Sequence, residues 1–239
     1  MIITKKSTVQ PIIDSMHVCI EEGDYYGCLA LLRKKILAKN TISPVLEHIA
    51  RNIFVKIPEA CQIPFCDKIS QLDEMGSSVI TGTALQTRLE DHLEESLEKS
   101  IEYIKHGNIW FHCDHLSERV LGSALLGSPE ILIPVLPAFL KDENKWVIRM
   151  VSVASHYAIR KGLRREFIEE VFTLLMSNSD RTDPDLKSGI GWAAKTCAKY
   201  HPDIVMKYKD HIDSNPKVGR WFRTSIDMGL GLSKIYTGQ

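Results

Sequence analysis

Three short stretches hold the side chains best suited to chemistry. In Gly107–Asn108–Ile109–Trp110–Phe111–His112–Cys113–Asp114 an indole and a carboxylate stand four residues apart. On a helix the two project from one face, one turn apart. Asn144–Lys145–Trp146–Val147–Ile148–Arg149 supplies a guanidinium, and Gly189–Ile190–Gly191–Trp192 a further indole. A carboxylate in the company of indoles is suited to a cation. At ~4 Å and an effective dielectric near 20, a carboxylate attracts a unit positive charge by on the order of 4 kcal/mol. Each indole face adds about 0.5–2 kcal/mol. A guanidinium suits a phosphate, which it grips through two parallel hydrogen bonds. Three helices lining one groove would gather these groups. Trp146 falls within an apolar stripe and reads as core.

Other groupings carry less. His106, His112, Cys113, Asp114 and His115 are close in sequence, but their spacing is not a closed zinc pattern, and on a helix Cys113 points away from His112 and His115. No metal is expected. Cys61 and Cys66, with Pro64 between them, read as packing. The six cysteines form no CxxC pair, which fits reduced thiols in a cytosolic protein. No glycine-rich phosphate loop follows a strand, because no strand run is evident.

These groups must be positioned by helices. Ile12, Ile13, Met16, Cys19 and Ile20 follow helical spacing, as do Leu29, Leu31, Leu32 and Ile36. The stretch 85–104 continues the pattern through Leu85, Leu89, Leu93, Leu97, Ile101 and Ile104. Prolines at 44, 58, 129, 184, 202 and 216 each precede an amphipathic segment. Proline is tolerated at the first helical position, and Ser, Asp or Asn before it can cap. Gly23, Gly107, Gly122, Gly127 and Gly162 fall near expected helix ends. The segment starting at Asp142 has a counterpart about 40 residues on, around Asp183, and another about 32 residues later, around Asn215–Arg220. A degenerate period of this size with two helices per unit marks a helical repeat. The expected fold is all-α: a HEAT- or armadillo-like α-α superhelix with a concave groove, as one domain over residues 1–239.

The 30 basic and 30 acidic residues balance to a net charge of zero, so there is no gross electrostatic case for nucleic acid or membrane. Residues 1–105 carry 12 basic and 15 acidic side chains, and residues 106–239 carry 18 and 15. The second half is thus the one that mildly favours an anionic partner. No run approaches the roughly 18 apolar residues of a membrane span, and the N-terminus has no apolar segment behind its charges. A cytoplasmic location is expected.

Taken together, Gly107–Gly122, Asn144–Arg149 and Lys187–Lys195 resemble, in order and separation, the three motif helices of the AlkD-type DNA alkylation-repair glycosylases. The resemblance covers residues from about 80 to 230, and the part before about 80 is divergent. It implies a DNA glycosylase of HEAT-like repeats that acts as a monomer on alkylated double-stranded DNA. Such an enzyme releases cationic N3- or N7-alkylated purines, without metal or redox cofactor. It assigns Asp114 as the catalytic carboxylate, Trp110 and Trp192 as aromatic walls, and Arg149 as the basic partner in the cleft. Lys195 and the basic run Arg160, Lys161, Arg164 and Arg165 are then candidates for the DNA backbone. The chain departs from the family pattern in two places. No glycine-containing segment followed by basic residues is evident in the N-terminal half, and Phe111 and His112 stand where relatives often carry an acidic residue. These departures, with the zero net charge, leave a second expectation: a non-catalytic HEAT-like protein that binds DNA or a protein partner.

Overall fold

The computed structural model describes residues 2–232; Met1 and residues 233–239, the ends of the expected 1–239 domain, lie outside them. By its internal contacts the chain divides into two compact units, Met1–Val120 and Leu121–Gln239. Both are all-α.

In the first unit the helices are α1 (Lys6–Glu21), α2 (Tyr25–Leu31), α3 (Ser43–Phe54), α4 (Glu59–Ser70), α5 (Met75–Thr87), α6 (Leu93–Gly107) and α7 (Trp110–Arg119). α2 runs on as a π-helical turn, Leu32–Leu37. Helices α1, α3, α5 and α7 pack one against the next, with α2, α4 and α6 behind them. The amphipathic pattern explains the layer. α3 buries Val45, Leu46, Ile49, Ala50, Ile53 and Phe54, each large side chain contributing about 1.5–3 kcal/mol relative to exposure. α5 is buried from Ser77 to Leu85, as the central helix of a layer must be. Two extended pieces, β1 (Ile2–Ile3) and β2 (Asn40–Thr41), pair in parallel. They are too short to leave an alternating pattern in the sequence.

The second unit contains α8 (Leu121–Gly127), α9 (Pro129–Leu132), α10 (Leu136–Phe139), α11 (Lys145–Lys161), α12 (Arg165–Met176), α13 (Pro184–Tyr200), α14 (Pro202–Met206), α15 (Lys209–Ser214) and α16 (Arg220–Gly229). Here α8, α11, α13 and α16 form one layer, backed by the shorter helices and α12.

The repeat is visible in the polar contacts. In the first unit Ser78 meets His115, 37 residues on, and Asp67 meets Tyr103, 36 on. In the second, Arg149 meets Asp185 after 36, Glu169 meets Lys207 after 38 and His156 meets Thr196 after 40. Contacts that step forward together along two helices require those helices to run parallel, as in stacked helix pairs.

Three expectations are corrected. The pattern over 85–104 is not one helix: α5 ends at Thr87 and α6 starts at Leu93, with Arg88 closing the first. Pro216 lies in a turn, where Asn215 Oδ1 accepts from Lys217 N at 3.0 Å, and α16 starts only at Arg220. Of the residues before proline, Asp183 caps its helix through its side chain, whereas Ser128 makes no such bond.

Candidate active site

α7 carries the first motif. Asn108, at φ 47°, closes α6 in the left-handed conformation that Asn tolerates, and Ile109 is extended, so α7 opens on Trp110. Trp110 is 50% exposed. Asp114, one turn on, is half-buried and engaged in a polar contact. The opposite side of α7 is pinned at three levels. His112, buried, lies with Nε2 3.1 Å from Asp73 Oδ1, and His115 Nδ1 lies 3.0 Å from Ser78 Oγ on α5. Arg119, also buried, donates to Glu47 of α3 at 2.6 Å and to the His115 carbonyl at 3.0 Å.

Burial lowers the pKa of His112, although Asp73 pulls the other way. His115 is pushed down to about 4, first by burial and then by the neighbouring Arg119 cation. Both imidazoles are therefore neutral at pH 7, and they act as anchors rather than as charges beside Asp114. Cys113 is buried against Ser117, with 3.7 Å between Sγ and Oγ. Among the described residues no three His, Cys, Asp or Glu side chains come together as a metal-ligand set.

The other two motifs, α11 and α13, belong to the second unit. Both start from side-chain caps: Asn144 Oδ1 accepts from Trp146 N at 2.8 Å, and Asp183 Oδ1 from Asp185 N at 2.8 Å. Such caps are worth about 1 kcal/mol each. Trp146 is buried, as its stripe predicts, with Lys145 Nζ 4.6 Å from its ring.

Arg149 does not lie open in a cleft. It is 6% exposed, and its Nη1 donates to the Asp185 carbonyl at 2.6 Å. Gly189 makes room for it, since a Cβ there would stand 3.2 Å from Arg149 Cγ and 2.6 Å from Ser152 Oγ. Arg149 thus holds the first turn of α13. α11 is buried without a break from Trp146 to His156, so Arg149 has no open side on this helix.

Trp192 is 38% exposed. Its ring stacks on His156 of α11, centroids 3.7 Å apart and planes 26° from parallel. His156 is buried, and its Nδ1 lies 2.7 Å from Thr196 Oγ1, whose hydroxyl donates to the Trp192 carbonyl at 2.9 Å. His156 falls seven residues after Arg149 on α11, about 10 Å along the axis. Arg149 and Trp192 hold different levels of the same helix pair.

The structure does bring Lys195 to Trp192. Both line one surface hollow, with Lys187 and Trp221. In the basic run, Arg164 pairs with Glu130 and, at 3.5 Å, with Glu166, and Arg165 pairs with Asp203. Arg160 and Lys161 are exposed at the end of α11, Lys161 over the Tyr157 ring. Asp73, Glu47, His156, Thr196 and Trp221 escape a motif-based reading. Only the recurrence of polar residues at the repeat spacing points to the His156–Thr196 pair in advance.

No single helix among the described residues is long and apolar enough to cross a membrane. A family model described as DNA alkylation repair enzyme matches residues 39–220, beginning well before the first motif helix. No curated protein and no solved structure matches the chain.

Proposed function

Because the chain belongs to the DNA alkylation repair enzyme family, we propose that it is a glycosylase releasing cationic N3- and N7-alkylated purines from duplex DNA in base-excision repair. The alkylated base already carries the positive charge, so it departs neutral and needs no general acid. As the C1′–N bond breaks, the electron pair leaves with the base and positive charge moves onto the deoxyribose. Water then adds at C1′ and loses a proton.

In this reading Asp114 is the catalytic carboxylate, which stabilises the oxocarbenium-like sugar and orients the water. An attraction on the order of 4 kcal/mol corresponds to roughly a thousandfold in rate. Trp110 and Trp192 present indole faces to the lesion and its sugar. Arg149, being buried, is a positioning residue for α13. Lys195, Arg160 and Lys161 are the candidates for backbone phosphates; Arg164 and Arg165 would first have to leave their carboxylate partners.

The observation that carries the reading is the pairing on α7 of a half-exposed indole with a carboxylate one turn on, while neutral imidazoles secure the helix's other side. The test is release of 7-methylguanine or 3-methyladenine from methylated duplex DNA by the wild type and by Asp114→Asn. Equal release, or none by either, would sink it. The burial of Arg149 favours a second reading, a non-catalytic repeat protein. That reading predicts binding without release, and a titration with unmodified duplex at two salt concentrations separates a DNA partner from a protein one.

A further inference from the structure

Trp110 is the first residue of α7, and no helical turn precedes it, because Ile109 is extended and Asn108 is left-handed. Inside a helix the preceding turn closes one of the three χ1 wells; at a first position all three are open. The indole is 50% exposed, and among the described residues it makes no hydrogen bond. Something else must hold it on the face that carries Asp114.

The ring beside it among the described residues is Phe111, with centroids 5.8 Å apart and planes at 88°. Neighbours in sequence point about 100° apart around a helix, so Phe111 meets the indole from the side. Phe111 is half-buried and packs on His112, centroids 4.5 Å apart. His112 is 4% exposed and held on two sides. Its Nε2 lies 3.1 Å from Asp73 Oδ1, and its ring takes the space that a side chain at Gly107 would need, where a Cβ would stand 2.8 Å from Cγ.

The backbone gives a second, independent observation. Among the described residues the non-glycine positions with positive φ are Asp73, at 51°, and Asn108, at 47°. They flank this one row of rings: Asn108 makes α7 start at Trp110, and Asp73 presents its carboxylate to His112. Left-handed backbone is costly outside glycine and persists where its surroundings hold it.

We propose that Phe111 is a positioning residue for Trp110: the row Asp73–His112–Phe111 keeps the indole on the side of α7 that it shares with Asp114. Phe111 touches no substrate and acts through the indole alone. An edge-on aromatic pair favours one arrangement by about twofold to tenfold. The effect on rate rests on the reading of Trp110 as a wall for the cation, whereas the brace is a property of the folded chain.

The experiment incorporates 5-fluorotryptophan, which gives a fluorine signal for each of the four tryptophans; Trp110→Phe identifies the signal of Trp110. Phe111→Leu keeps an apolar side chain against His112 but removes the ring, and Phe111→Tyr keeps the ring. Asp73→Gly keeps the left-handed backbone and removes only the carboxylate. In Phe111→Leu the Trp110 signal is expected to move toward that of the free amino acid while the other three stay. Phe111→Tyr is expected to hold the wild-type position and Asp73→Gly to move part of the way; thermal melts confirm that each variant is folded. Single-turnover release of 7-methylguanine is expected to fall about twofold to tenfold in Phe111→Leu, with duplex affinity within about twofold of wild type. Adding Phe111→Leu to Trp110→Ala is expected to slow release no further. An unmoved Trp110 signal in Phe111→Leu overturns the proposal whatever the release rates. A double variant slower than Trp110→Ala by the full Phe111→Leu factor also overturns it, because Phe111 would then act without the indole. If the wild type releases no methylpurine, the enzyme reading falls, and the fluorine signal alone decides for or against the brace.

Discussion

The imidazole of His156 lies flat against the indole of Trp192, centroids 3.7 Å apart, and is itself fixed by a 2.7 Å bond to Thr196. One buried side chain thus sets the plane of an exposed one. Such stacking is worth about 0.5–1.5 kcal/mol beyond the area it buries. His156→Ala also leaves a cavity between α11 and α13, so the variant is expected to lose roughly 2–4 kcal/mol of stability in urea melts. His156→Phe keeps the stack but leaves Thr196 without its partner. It is expected to recover the near-ultraviolet circular dichroism of the ordered indole and most of the excision rate. If His156→Ala retains full excision at a temperature where it is folded, the imidazole has no role in presenting Trp192.

A second prediction concerns Gly189, where α13 approaches Arg149 and Ser152. A methyl group there meets Ser152 Oγ at 2.6 Å and Arg149 Cγ at 3.2 Å. Ser152 already donates to the Arg149 carbonyl at 2.8 Å, so turning it away breaks a buried bond. Gly189→Ala is expected to destabilise by about 1–3 kcal/mol, against a helix-propensity gain of about 1 kcal/mol. Gly127→Ala, at a position open to space, is the control and should stay within about 0.5 kcal/mol of wild type.

The sequence made the helices legible because their apolar spacing and proline starts are local. It also located Trp110, Asp114 and Trp192 on helix faces that the fold leaves at least partly exposed. Arg149 was harder to read. A guanidinium between Ile148 and Met150 is an ordinary surface residue by type, and only the carbonyl of Asp185 on a neighbouring helix explains its burial. The break at Arg88–His92 was hidden for the opposite reason. Leucines at 85, 89 and 93 keep helical spacing across it, while Arg88, bonded to Gln62 and Glu95, closes the helix through tertiary contacts. Trp221 belongs to no motif; it comes beside Trp192 because α13 and α16 pack side by side.

A third prediction is a pH dependence of stability. An unfolded chain takes up a proton on each histidine near pH 6.5, whereas folded His115 does so only at about 4. Between these values the unfolded state binds more protons, so stability falls as the pH drops from about 6.5 toward 4 and levels off below. Burial lowers His112 in the same sense. His115 alone accounts for on the order of 3 kcal/mol across that window. Urea melts at pH 7.5 and 5.0 test this, with His115→Gln expected to flatten the difference. Equal stability of the wild type at the two pH values would contradict the burial of this ring.

The last prediction separates chemistry from folding on α7. Trp110 is half exposed, and its aromatic neighbour is Phe111, edge-on at 5.8 Å. Trp110→Ala is therefore expected to change stability by about 0.5 kcal/mol or less, while an indole that faces a developing cation supplies about 0.5–2 kcal/mol to the transition state. That corresponds to a fall in excision of roughly twofold to thirtyfold. Asp114→Asn is nearly isosteric and should fold, yet it removes the charge and with it roughly a thousandfold in rate. Arg119→Ala behaves in the reverse way, because that guanidinium ties α7 to Glu47 and is itself buried. Leaving its partners without it should cost about 2–4 kcal/mol of stability, with excision reduced only as far as the folded fraction falls. Single-turnover rates set beside melting curves for the three variants make the comparison. If Asp114→Asn loses stability and rate in proportion, the carboxylate belongs to the scaffold and not to the reaction.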